Sequence, residues 1–163
     1  MLFYISCSGY NSLPQIEGLS PPSETVLRDI GHVFVNRRVH KEVGISLLHK
    51  HFELSDEEIM VHDGLRCSAI KRNTLRSALA GSAFFLHNGR FQPHEYEHAP
   101  PLTLNEDFLS DLARHLLQNQ LQVRLGLSRL DKEHPRLMEH CEDPKFHVCV
   151  AVEREIPVRE ATE

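Results

Sequence analysis

Glu58-Ile59-Met60-Val61-His62, then Asp63-Gly64, then Leu65-Arg66-Cys67-Ser68-Ala69-Ile70: two mostly apolar runs flank a dipeptide that readily supplies the positive φ angles of a two-residue turn. Residues 82–87, Asn88-Gly89 and residues 90–96 repeat the device. Two such units in succession predict two antiparallel hairpins. Downstream, Val123, Leu125 and Leu127 alternate with Arg124 and Gly126, as in a half-buried strand. Phe146, Val148, Val150 and Val152 alternate with His147, Cys149, Ala151 and Glu153 in a last strand. Residues 2–7 and 32–36 read as two further short strands.

Helices are expected at two places. Over residues 105–120, Asn105 can cap the first turn, and Glu106 and Asp107 suit the positive end of the helix dipole. Leu104 and Leu109 can close a hydrophobic staple, while Phe108, Leu109, Leu112, Ala113, Leu116 and Leu117 form one apolar face. Over residues 37–52, Val39, Val43, Leu47 and Leu48 place an apolar arc on one side, which predicts an amphipathic helix. Residues 134–141 are read as one or two helical turns. Residues 8–23 carry Gly9, Asn11, Pro14, Gly18, Pro21 and Pro22 and read as a long loop, and residues 154–163 as a flexible tail. The expected fold is therefore α+β: a single domain over 1–163, with an antiparallel or mixed sheet built from hairpins and two main helices on one face.

A chain of 163 residues with 40% apolar and 25% charged content has the composition of an ordinary folded domain. No run approaches the 18 apolar residues of a membrane span, so no membrane partner is expected. The net charge of −5 argues against nucleic acid, whose phosphates need concentrated positive charge, and Lys71, Arg72 and Arg76 make only a small basic knot. Cys7, Cys67, Cys141 and Cys149 show no paired spacing, and no leader is recognisable at Met1 to Gly9. A reducing, cytoplasmic location is the expectation. The twelve histidines stand out, since protonating all of them takes the charge from −5 to +7.

Three histidine constellations carry the candidate chemistry. Gly44, His49, His51, Glu57 and Gly64 resemble the first half of the cupin signature, over about 21 residues and with two spacings altered. That resemblance implies a strand presenting two histidines and a carboxylate to a divalent metal. The second half of the signature is missing around residues 88–98. On the helix expected over 37–52, His49 and His51 would lie 200° apart and not chelate together, whereas His40, Gly44, Leu47 and His51 would share a stripe facing the sheet. Next, His94-Glu95-Tyr96-Glu97-His98 matches the H-E-x-x-H string of zinc proteases, which needs a long helix. Pro93 and Pro100-Pro101 leave barely one turn. In an extended segment, His94, Tyr96 and His98 would point to one side, near His87 across the Asn88-Gly89 turn. Last, His147 and Cys149, with His140 and Cys141 upstream, offer soft ligands of the kind zinc accepts.

These constellations predict a histidine-lined pocket that binds a small molecule and performs general acid/base chemistry, with one divalent metal, zinc or iron, as an option. The acid/base candidates are His40, His51, Glu53 and Tyr96; the metal candidates are His49, His51, His87, His94 and His98. Such an enzyme would be a lyase, isomerase, hydrolase or metal-dependent oxygenase. The alternative expectation is a non-catalytic interaction or regulatory module, as a homodimer through an unpaired sheet edge.

Overall fold

The computed structural model describes residues 7–15, 22–64, 66–75, 77–130, 137–143 and 148–153. The strand expected over residues 2–7, the tail at 154–163 and His147 lie outside them, apart from Cys7. The chain runs α1 (Ser8–Asn11), α2 (Glu24–Asn36), β1 (Val43–Leu47), β2 (Glu58–Asp63), β3 (Arg66–Lys71), a 3₁₀ turn (Arg72–Thr74), β4 (Ala80–His87), β5 (Arg90–Glu97), α3 (Glu106–Gln118), β6 (Leu125–Arg129), β7 (Leu137–Asp143) and β8 (Val148–Glu153). The class is α+β, as expected, around a mixed sheet. β1 to β6 lie in the order β1-β6-β4-β5-β2-β3, and β8 and β7 extend the sheet beyond β3. All neighbours pair antiparallel except β2 and β5, which run parallel with Met60 opposite Glu95 and His62 opposite Glu97.

Several expectations are corrected. Residues 32–36 are not a strand: they complete α2, in which Ile30, Val33 and Phe34 recur at helical spacing and are buried. Ser23 caps this helix, its side chain accepting from the Val26 amide. The helix then closes through a C-terminal motif in which the Arg38 and Val39 amides donate to the Val35 and Phe34 carbonyls. Arg38 takes the left-handed position at φ 59, normally a glycine, so no glycine marks the stop. Residues 37–52 are not a helix, because residues 43–47 form β1, paired with β6 from Val43↔Arg129 to Leu47↔Leu125. Val43, Ile45 and Leu47 fit a period of two as well as Val39, Val43 and Leu47 fit a period of four. The β6 ladder decides between the two. Residues 8–11 of the expected loop form the short α1, and residues 137–141, read as helical, belong to β7.

Asn88 and Gly89 both have positive φ, 49° and 74°, and join β4 to β5 as expected of this dipeptide. At the other turn Asp63 pairs with Arg66, so the turn lies one residue later than Asp63-Gly64. Gly64 supplies the left-handed φ of 59°.

α2 and α3 share the largest core. Ile30, Val33 and Phe34 meet Phe108, Leu112 and Leu116 and the strand residues Val43, Leu86, Leu125 and Leu127. Phe34 meets Phe108 edge-to-face at 5.0 Å. Asn105 caps α3 by accepting from the Asp107 amide at 2.7 Å, and Arg37 at the end of α2 pairs with Asp111 of α3. Leu117, assigned to the apolar face of α3, is instead 51% exposed. A second core gathers Cys7, Tyr10, Leu13, Leu48, Phe52, Leu54, Met60, Cys67 and Phe85, and positions the site described next.

Candidate metal centre

Side chains alternate along β2: Ile59 and Val61 enter a small core with Tyr96, while Met60 belongs with Cys67 to the core beneath α1. His62 shares the parity of Met60. The β2–β3 register sets His62 opposite Cys67, and the parallel β2–β5 register sets Glu95 opposite Met60. Three strands thus bring three ligand types together: a His62 ring nitrogen, Cys67 Sγ and a Glu95 carboxylate oxygen all lie within 4.8 Å of one another. His62 Nε2 is 2.7 Å from Glu95 Oε2. Cys67 is buried, and the His62 and Glu95 side chains are 33% and 14% exposed. The group is therefore sheltered without being sealed. Among the described residues, this is the converging group of three or more such ligands. The ladder continues from Cys67 to Cys149 of β8 and from Cys149 to Cys141 of β7, so His62 and three cysteines occupy successive positions across four strands.

The core around this group is tied together by bonds from α1 to residues 50–56. Asn11 of α1 donates to the Leu54 carbonyl at 2.8 Å and accepts from the Leu54 amide at 2.9 Å. Lys50 Nζ donates to the Asn11 carbonyl at 2.6 Å and pairs with Glu53. Gly9 brings α1 against the Phe85 ring, where a Cβ would stand 2.9 Å from a ring carbon. The Cys7 thiol, pushed up in pKa by burial and by the Asp56 carboxylate, donates to Asp56 Oδ1 at 3.8 Å.

The structure places the expected site residues as follows. His49 and His51 do meet: their Nε2 atoms are 3.1 Å apart and their rings stand edge-to-face at 4.7 Å. They can meet because residues 48–52 are not helical: Lys50 forms a bridge with Gln15 and the chain bends at His51. A carbonyl only accepts, so the 2.9 Å contact to the Leu47 oxygen puts a proton on His49 Nδ1. In the neutral ring His49 Nε2 is then an acceptor facing His51. Glu53 turns to Lys50, and His40 is exposed beside the cleft between α2 and β1, apart from this pair.

The H-E-x-x-H string lies mostly on β5, not on a helix. The step from Phe84↔Pro93 to Ala83↔Glu95 makes His94 the extra residue of a β-bulge, so the expected alternation of His94, Tyr96 and His98 is broken. His94 is buried with its ring edge-on to Phe85 at 5.9 Å. Tyr96 packs with Ile59 and Val61, where burial pushes its hydroxyl up to about 12 and keeps it protonated at neutral pH. His98 is exposed, its Nδ1 3.0 Å from Ser77 Oγ, and His87 is exposed at the end of β4, 5.8 Å from the Phe85 ring. Of that string, Glu95 alone reaches the converging group. His62 and Cys67 escaped the sequence reading because a turn at Asp63-Gly64 sets Met60, not His62, opposite Cys67.

No family model, curated protein or solved structure matches this chain. Among the described residues no helix is long and apolar enough to cross a membrane.

Proposed function

We propose that this protein binds one divalent transition-metal ion through His62, Cys67 and Glu95 and uses it in acid/base chemistry on a small polar molecule. The carrying observation is the thiol: a hydrogen-bonded His–Glu pair accounts for two of the three groups, but a buried cysteine within 4.8 Å of both makes a mixed sulfur, nitrogen and oxygen set. Zinc suits that set better than iron, because thiolate softens the site. His62 Nε2, Cys67 Sγ and a Glu95 carboxylate oxygen would hold the ion, which would take the place of the 2.7 Å His62–Glu95 contact. Three protein ligands is the count of a catalytic site, and zinc held by them would act as a Lewis acid, lowering the pKa of a water it binds to about 7. In this reading 1–163 is a single domain, with α2 and α3 over one side of the sheet and the ion on the other. His49 and His51, whose Nε2 atoms are 3.1 Å apart, can pass a proton between them.

Metal analysis of protein purified without a histidine tag, followed by zinc titration, tests this reading. One equivalent per chain is expected, with Cys67→Ser and His62→Ala each weakening affinity by at least the roughly 10–100-fold that losing a supporting group costs. Stoichiometric binding that is unchanged in both variants, or no binding by the reduced protein, overturns the reading.

A further inference from the structure

We propose that Cys141 and Cys149 are a redox-active pair, which a peroxide closes into a disulfide across strands β7 and β8. The inference is independent of the metal centre.

Three cysteines follow one another across the end of the sheet: Cys67 of β3 is opposite Cys149 of β8, and Cys149 is opposite Cys141 of β7. The middle cysteine has two neighbours in register, and the backbone selects between them. Directly opposed residues of an antiparallel pair alternate between a hydrogen-bonded class and a non-hydrogen-bonded class, and side chains are closer in the second. Opposed Cβ atoms stand about 4.5–5.5 Å apart, the shorter end belonging to the non-hydrogen-bonded class, while a disulfide needs about 3.5–4.5 Å. Only that closer class meets the requirement.

The class of each pair follows from the β2–β3 turn. Asp63 and Arg66 close a turn of two residues and must be a hydrogen-bonded pair, because the other class would require residues 64 and 65, adjacent in the chain, to bond to each other. His62↔Cys67, next in the ladder, is therefore of the closer class, in agreement with ligand atoms within 4.8 Å of one another. The amide and carbonyl of Cys67 then point away from β2 and toward β8, so Cys67↔Cys149 is a hydrogen-bonded pair. Those of Cys149 point back to β3, which leaves Cys141↔Cys149 as the closer, non-hydrogen-bonded pair. The register shift of this ladder falls after Cys141, between it and Asp143.

In the reaction, one thiolate attacks hydrogen peroxide, breaking the O–O bond, releasing hydroxide and leaving a sulfenic acid. The second thiolate attacks that sulfur and expels another hydroxide. The two thiol protons convert both hydroxides to water, so two thiols and one peroxide give one disulfide and two waters. Two electrons pass from the sulfurs to the peroxide oxygens, and a dithiol reductant returns them.

Peptide mapping without reduction tests the inference on the full native chain, treated with chelator so that no bound metal shields Cys67, then with one equivalent of hydrogen peroxide. Trypsin places Cys141 in residues 137–145, Cys149 in 146–154 and Cys67 in 67–71. The expected product links 137–145 to 146–154, lowers the thiol count from four to two per chain and is reversed by dithiothreitol. Cys67→Ser should keep the link, and Cys141→Ser and Cys149→Ser should each lose it. In urea, where the register is gone, links involving Cys7 and Cys67 should appear as well. A native link from 67–71 to 146–154, links between chains, no disulfide at all, or the same single link in urea overturns the inference.

Discussion

Replacing Gly126 by alanine tests the packing on which the metal-centre geometry depends. β6 lies between β1 and β4, and a Cβ at Gly126 would come 2.5 Å from the Phe84 carbonyl oxygen and 2.5 Å from Leu48 Cδ2. Ordinary contact begins near 3.4 Å, so about 0.9 Å of displacement is demanded on each side. Neither neighbour yields easily: one is backbone of β4, and the other belongs to a side chain only 1% exposed. Overpacking a core costs about 1–3 kcal/mol, and two opposed clashes, one with backbone, put this variant at the upper end, about 3 kcal/mol. For a chain of this length that is a fall in melting temperature of roughly 6–12 °C. Displacing β4 also moves its partner β5, so zinc affinity should fall in the same variant although no ligand is touched. Urea denaturation and calorimetry of parent and variant, with Gly31→Ala as the control where a Cβ has open space, supply the readout. A Gly126→Ala protein melting within about 2 °C of its parent would refute this account of the packing.

Two further predictions concern single side chains. Burial raises the Tyr96 hydroxyl to about 12 in the folded protein, against about 10 when unfolded. The neutral form is therefore favoured by folding, and its contribution is complete below pH 10 and lost as pH rises from 10 through 12. Over that window the parent should lose roughly 2 kcal/mol that Tyr96→Phe keeps, read as urea midpoints from pH 9 to 12; equal slopes in the two proteins would remove the assignment. Phenylalanine should cost little at neutral pH, since the hydroxyl donates to the Pro93 carbonyl at a long 3.4 Å. At Cys149, the register position opposite Cys67, serine should leave zinc affinity and the thiolate-to-cobalt absorption of the cobalt-loaded protein unchanged if water fills the fourth place. Loss of half that absorption would make the site a closed, two-thiolate structural centre and would end the acid/base reading.

Some of this molecule is legible wherever a segment admits only one local solution. Asn88-Gly89 fits a turn with two positive φ angles, so β4 and β5 could be read directly. Asn105, the acids after it and the buried Phe108, Leu112 and Leu116 mark α3 by capping and period alone. The α+β class follows from such elements. Other stretches carry two periods at once. Residues 37–52 satisfied both helix and strand, and pairing with β6, more than seventy residues away, settled the matter. α2 runs through the residues read as a strand, and its closing motif uses Arg38 where a glycine would have signalled the end.

The candidate site divides along the same line. The H-x-H at His49 and His51 could be seen in the sequence, and so could the requirement that the segment not be helical, but only the tertiary structure decided that it is not. His62, Cys67 and Glu95 stayed hidden because their meeting depends on a turn displaced by one residue and on a parallel pairing across a crossover. The amino-acid sequence by itself determined which residues can bury, cap and turn, since those are properties of neighbours along the chain. Which histidine meets which thiol was decided by strand register, where a one-residue slip sends every side chain to the opposite face and no local preference opposes it.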